Sequence, residues 1–270
     1  MANAPFQCIF CKSTSASFDS CEHIVPESMG NLEHTLPPGV VCDGCNNYFS
    51  RKIEGPLLNT EFYRQARHRN GIPSKRNRIP VQGMLSFPDA LSLELGIARD
   101  GSRYLSAANE SDNNRFINRL RASKRLTAVF PCASKPPQRL LSRFLLKMGV
   151  EYLAMRMLPV EAGIQTDHIQ NSALDEARRY VRFNEGREDW PFHECQIYAE
   201  GNRFHDIQTG ETYDVPHEFT LLYTEQNEMY FVIAVFGTQY SINLGGPEID
   251  GFLKWLGENG NASPLYPDGT

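Results

Sequence analysis

The sequence predicts an α+β protein in which a small cysteine-rich unit, pinned by metal, precedes a mixed helical and antiparallel-sheet domain. Three observations predict it. Two Cys-x-x-Cys pairs, Cys8/Cys11 and Cys42/Cys45, bracket a short N-terminal segment. Residues 138–158 place Leu140, Phe144, Met148, Tyr152 and Met155 at three- and four-residue spacing, the period of a helix. Three strand-like runs between His217 and Leu244 are separated by turn signals at Gln226-Asn227-Glu228 and Gly237.

The expected division is 1–58, 59–137 and 138–270. In the first segment a knuckle forms around Cys8-Ile9-Phe10-Cys11, followed by a strand over Cys21–Val25 and a loop holding Gly30 and Pro37-Pro38-Gly39. A second strand is expected at Val40-Val41. A helix then starts near Cys45 and runs to Glu54, because Tyr48, Phe49 and Ile53 share a face, and Gly55-Pro56 ends it. Each Cys-x-x-Cys can take one face of a tetrahedral ion, and the spacer lets a hairpin return the second pair. All four positions would be filled, so a zinc ion held by Cys8, Cys11, Cys42 and Cys45 would be structural. So short a segment buries little surface, and metal would supply much of its folding energy.

Residues 59–137 read as a basic connector, with loosely alternating strands over Ile79–Ala98. In the last segment Arg139, Arg143 and Lys147 line one stripe of the long helix, either as a solvated face or as one turned to phosphate. A further helix is expected from Ser172, with Asp175 completing a capping box. The strands His217–Tyr223, Met229–Phe236 and Gln239–Leu244 form a meander, and Glu248–Leu256 a closing helix before a frayed tail from Gly257.

Charges interrupt the 41% hydrophobic residues often enough that no apolar run approaches the roughly eighteen needed to span a bilayer. No membrane segment is expected, and an N-terminus without a basic and then apolar stretch points to the cytoplasm. Seven cysteines in such a compartment favour metal over disulfides, leaving Cys21, Cys132 and Cys195 as expected small buried hydrophobes. The net charge of -5 is unevenly placed: Arg64 to Arg78 and Arg115 to Lys147 are rich in Arg and Lys and contain no Asp or Glu, whereas the chain beyond Asp167 is acidic. Basic stretches of this kind suit nucleic acid.

Between the cysteine pairs lies Glu22-His23-Ile24-Val25-Pro26, and Asn46-Asn47 follows the last cysteine. This order of motifs resembles the HNH endonucleases, whose ββα-metal unit frequently carries an additional four-cysteine zinc. Cys42-Asp43-Gly44-Cys45-Asn46-Asn47 with Lys52-Ile53-Glu54 looks like the HNH branch of bacterial defence and mobile-element proteins. The resemblance covers about the first 58 residues. It implies His23 as general base, Glu22 as the acidic ligand of a divalent ion, and Asn46 as the last residue of the motif and a second ligand.

Histidine titrates near neutral pH, and carboxylate or amide oxygen suits Mg²⁺ or Mn²⁺. Asn47 competes with Asn46, either could cap the helix, and Glu54 is a further ligand or a helix-end carboxylate. Neighbours on a strand point to opposite sides, so Glu22 and His23 need a bulge or a strand end to serve one centre. The family's middle Asn has no clean counterpart, since Asn31 lies too near the first strand and His34 and Pro37 lie closer to the expected place.

Two readings follow. The first is a metal-dependent endonuclease with DNA as partner, its C-terminal region serving recognition, oligomerisation or restraint through a regulatory partner. The second is a non-catalytic zinc module that binds nucleic acid or a protein.

Overall fold

Strand β1 (Glu22–His23) pairs antiparallel with β2 (Thr35–Leu36), Glu22 opposite Leu36 and His23 opposite Thr35. The computed structural model describes residues 7–74, 76–123, 125–157, 169–206 and 208–266. Lys75, Lys124, Leu158, Asp167 and the last four residues of the tail lie outside them. The returning strand is thus not Val40-Val41. Pro37 and Pro38 have no amide hydrogen to extend a ladder and end β2, while the Val40 carbonyl accepts from the Ile9 amide and joins the two cysteine knuckles.

Helix α1 (Asp43–Phe49) starts directly after Cys42 and buries Cys45 and Phe49, with Phe10 against Phe49 at a centroid distance of 4.5 Å. It does not stop at Gly55-Pro56. A π-helical turn at Ser50–Glu54 leads into α2 (Gly55–Leu58). Gly55 holds a helical conformation there, and a Cβ would stand 2.8 Å from the Ser50 carbonyl, so glycine is what permits the wide turn.

The stretch expected as a connector contains α3 (Glu61–Arg69), then β3 (Gln82–Phe87), β4 (Ser92–Ile97), β5 (Arg103–Ala107), α4 (Glu110–Ala122) and β6 (Thr127–Val129). Its strands form an antiparallel sheet in the order β5-β4-β3-β6. Phe116 of α4 packs on Leu91 and Leu93, and the Asn109 side chain caps α4 through the Asp112 amide at 3.0 Å.

The long helix α5 (Gln138–Met157) follows, then a 3-10 turn at Ser172–Leu174 and α6 (Asp175–Phe183). The cap is Asn171, which accepts from the Ala173 amide at 2.9 Å, and not Ser172. Next come β7 (Phe192–Gln196), a small hairpin of β8 (Arg203–His205) and β9 (Thr212–Asp214), β10 (His217–Tyr223), β11 (Met229–Val235), β12 (Thr238–Asn243) and α7 (Asp250–Glu258). Strands β10, β11 and β12 make the expected meander, and β7 joins it in the order β10-β11-β12-β7. Both faces of β11 are covered, which is why it is apolar throughout: Tyr230 and Val232 meet Phe252 and Leu256 of α7. Phe231 faces α5, where a Cβ on Gly149 would come within 2.8 Å of the Phe231 Cβ.

The chain divides into two compact units, residues 1–57 with 137–270 and residues 58–136. In the first unit α5 and α6 grip the cysteine-rich segment. Arg143 donates to the carbonyls of Tyr180 and Val181 and to the Tyr48 hydroxyl, and Lys147 is fully buried. Arg143 and Lys147 are therefore a fastening between elements, neither a solvated face nor one turned to phosphate, while Arg139 donates to Asn184 at the exposed end of the stripe.

Arg178 of α6, 2% exposed, donates to Ile9 O at 2.7 Å, to Asn171 O at 2.8 Å and to Ile169 O. Arg178→Met strands these carbonyls and is expected to cost about 3 kcal/mol in denaturant unfolding. Cys21 and Cys132 are exposed and Cys195 is half-buried, contrary to the expected burial. Cys21 precedes β1 outside the core, and Cys132 lies in the irregular stretch after β6. Among the described residues, no helix is long and apolar enough to cross a membrane.

Candidate active site

The Sγ atoms of Cys8, Cys11, Cys42 and Cys45 all lie within 4.8 Å of one another. Tetrahedral zinc with bonds of about 2.3 Å would set them roughly 3.8 Å apart, so little rearrangement is needed to close a cage. Cys11 and Cys42 are already at 3.6 Å, the Cys42 amide points at Cys8 Sγ at 3.4 Å, and Arg182 donates to Cys45 Sγ at 3.1 Å. The Cys45 thiol donates to Cys8 and holds the Cys8 thiol down at about 5; the same bond, with burial, pushes Cys45 up. Burial raises Cys42 to about 11. Crowded thiols cannot all ionise without a cation, and an all-sulfur closed set is what a structural zinc takes.

Beside this cage, β1 is held from three sides. Before it, Asp43 at the start of α1 accepts from the Ser20 amide at 2.9 Å, from the Asp19 amide at 3.3 Å and from the Ser17 hydroxyl. Those bonds, the Ser17 hydroxyl foremost, hold its carboxyl well below the usual range. After it, Asn31 is 1% exposed and uses its whole amide: Nδ2 donates to Val25 O and His34 O, and Oδ1 accepts from the amides of Glu33 and His34. The far end of the hairpin leans on β10, with the His34 ring 4.9 Å from Phe219. Asn31→Ala would leave several buried groups unpaired and is expected to destabilise by about 2–3 kcal/mol, read as a lower midpoint in urea.

From α5, Lys147 Nζ reaches Glu22 Oε1 at 2.6 Å, Glu54 at 2.7 Å, Glu151 at 3.0 Å and the His23 carbonyl at 3.0 Å. Burial alone would lower the Lys147 pKa, but the three carboxylates outweigh it and hold the ammonium charged. Burial raises both Glu22 and Glu151 against the opposing pull of Lys147. Around Lys147 the side-chain atoms shielded from solvent without a hydrogen-bond partner are Glu22 Oε2, His23 Nδ1 and the two oxygens of Glu151, one of which lies in the ion pair with Lys147; of these only Glu22 Oε2 and His23 Nδ1 sit on the hairpin.

Asn46 sits in the first turn of α1 and donates through Nδ2 to Ser20 Oγ and to Cys21 O, both at 3.1 Å. The second of these joins Asn46 to the residue before Glu22, and leaves Oδ1 as the end available to a cation. Asn47 is exposed. Glu54, at the end of the π-helical turn, is bound to Lys147. β1 is only two residues long, so Glu22 and His23 stand at a strand end.

Sequence reasoning missed Asn31, Asp43, Arg178 and Lys147. The one local signal for the last was a Lys–Glu pair at i and i+4 inside an otherwise apolar helix.

A two-stranded hairpin, a following helix and four cysteines that could hold a metal make up a small unit with an acid–histidine pair on its first strand. Residues 8–61 match the family model described as HNH endonuclease, so the N-terminal segment carries an HNH endonuclease domain. Comparison with curated proteins and with solved structures finds no match to this chain.

Proposed function

We propose that this protein is a metal-dependent endonuclease that hydrolyses DNA phosphodiester bonds. The observation that carries the reading is the pair of orphaned buried atoms on adjacent residues, Glu22 Oε2 and His23 Nδ1. Buried polar atoms are almost always paired, so an unpaired carboxylate oxygen beside an unpaired imidazole fits a site that awaits a cation and a proton donor. Glu22 through Oε2 and Asn46 through Oδ1 would hold Mg²⁺ or Mn²⁺, which when bound supplies charge to a non-bridging phosphate oxygen. His23 takes the proton from the attacking water. Asn31 takes the loop-fixing part of the missing middle Asn, by holding the turn between β1 and β2. Cys8, Cys11, Cys42 and Cys45 hold a structural zinc.

Residues 1–58 are then the nuclease module, 138–270 its support, and 59–137 a basic unit whose exposed Arg76, Arg78, Arg121 and Arg125 attract phosphate. The likeness of Cys42–Glu54 to the defence branch of the family supports a role in bacterial defence against foreign DNA, in the cytoplasm.

One observation favours the alternative of a non-catalytic module that binds nucleic acid or a protein: Lys147 already engages Glu22 Oε1. Plasmid incubated with the zinc-loaded protein separates the two. The nuclease reading expects nicking or linearisation that requires Mg²⁺ or Mn²⁺ and stops with EDTA, whereas DNA retarded in a gel but never cut would support the alternative.

A further inference from the structure

We propose that Lys147 is a positioning residue of the nuclease site, which by gripping Glu22 Oε1 and the His23 carbonyl with one ammonium presents Glu22 Oε2 to the divalent ion. The inference rests on the nuclease reading and assigns that site a residue from outside the HNH segment.

The geometry carries it. An ammonium has three protons, and Lys147 Nζ has four acceptors within 3.0 Å, two of them on the consecutive residues Glu22 and His23. Holding a side chain and a backbone carbonyl together fixes the strand end and the rotation of the Glu22 carboxylate. One oxygen is spent on Lys147, and the other is left buried and unpaired. The third acceptor, Glu54, ends the π-helical turn that continues α1, so the same atom ties β1 to the helix that carries Asn46. Nζ is itself enclosed: Lys147 is 0% exposed, and α5 is seated on the meander by the close approach at Gly149 and by Tyr152 against Phe219 at 4.7 Å. Ammonium and divalent ion would occupy different oxygens of Glu22, so they do not compete for one lone pair. Supporting partners that orient a metal ligand in this way are typically worth about 10- to 100-fold in metal affinity.

A merely structural ion cluster makes a different prediction: apolar replacement of a buried ion pair is often neutral for stability, and taking a cation away from Glu22 would leave Mn²⁺ binding equal or tighter. The test titrates Mn²⁺ into full-length, zinc-loaded protein without DNA and follows free Mn²⁺ by its paramagnetic resonance signal. Lys147→Met alone would strand the fully buried Glu151 carboxylate, so the main variant is Lys147→Met with Glu151→Gln, which leaves Glu22 and the partly exposed Glu54 as the remaining carboxylates, and Lys147→Arg is the second. Arg keeps the charge but spreads it over a planar fork that cannot focus four acceptors on one atom.

Whichever variants keep wild-type zinc content and a cooperative thermal transition are expected to bind Mn²⁺ at least about tenfold more weakly. Affinity equal to or tighter than wild type in either folded variant overturns the proposal while leaving the nuclease reading intact. Wild-type protein that binds no Mn²⁺ beyond its zinc site and cuts no DNA overturns the nuclease reading, and this proposal with it.

Discussion

Replacing His23 by alanine is expected to slow divalent-dependent DNA cleavage by about two to four orders of magnitude, the usual contribution of a positioned general base. Folding should survive. The ring of His23 is half-buried, and the contact that ties this residue to α5 runs through its backbone carbonyl, which alanine retains. Zinc content and the unfolding midpoint are therefore expected to stay near wild type, within roughly 1 kcal/mol. Single-turnover cleavage of an end-labelled duplex at saturating protein measures the chemical step without a contribution from binding. Mn²⁺ affinity should change little, since Glu22 and Asn46 remain in place. A variant that cuts within tenfold of wild type would remove His23 from the reaction and leave the orphaned Nδ1 without a role.

The second large effect is expected from Cys42→Ser. Cys42 is 3% exposed, precedes α1 directly and turns its amide to Cys8 Sγ, so it contributes to the cage and to the start of the helix that carries Asn46. Losing one thiolate opens the closed set, and structural zinc in small modules is worth on the order of 10 kcal/mol. The damage should spread past residue 58. Arg178 bonds Ile9, Arg182 bonds Cys45 and Lys147 bonds Glu22, so α5 and α6 have partners in the segment that a metal among the four cysteines would brace.

Hydrogen exchange should show protection lost in α1 and reduced along α6, together with loss of the bound zinc measured by elemental analysis. Retained zinc, or native protection throughout α1 without it, would show that packing alone holds the hairpin and helix.

Features with local causes were legible in the sequence. The cysteine spacing, the acid–histidine pair, the 3.6-residue period of α5 and the turn-separated strands of the meander each leave a short-range pattern. What could not be read is long-range. Lys147 and Glu22 are 125 positions apart, and a basic stripe on a helix looks the same whether it meets water, phosphate or buried carboxylates.

The return strand was misplaced to Val40-Val41 because two apolar β-branched residues look like a strand. Pro37 and Pro38 instead stop the ladder at Leu36, and Val40 serves the knuckle. Gly55-Pro56 reads as a helix stop, yet the π-helical turn before it carries the chain on. Helices α3 and α4 were hidden by their charge, with one apolar stripe each among arginines. Asn31 lies too near the first strand in sequence to match the family's middle Asn, yet its four hydrogen bonds are what hold the loop.

The proposed nuclease site stands or falls with Glu22, His23 and Asn46 serving one divalent ion. Anomalous diffraction from crystals soaked in Mn²⁺ tests it most directly. The account predicts a manganese peak about 2.2 Å from Glu22 Oε2 and from Asn46 Oδ1, distinct from the zinc among the cysteines, with Lys147 still on Glu22 Oε1. A crystal that takes up manganese only elsewhere, with Asn46 turned away from Glu22, would contradict it.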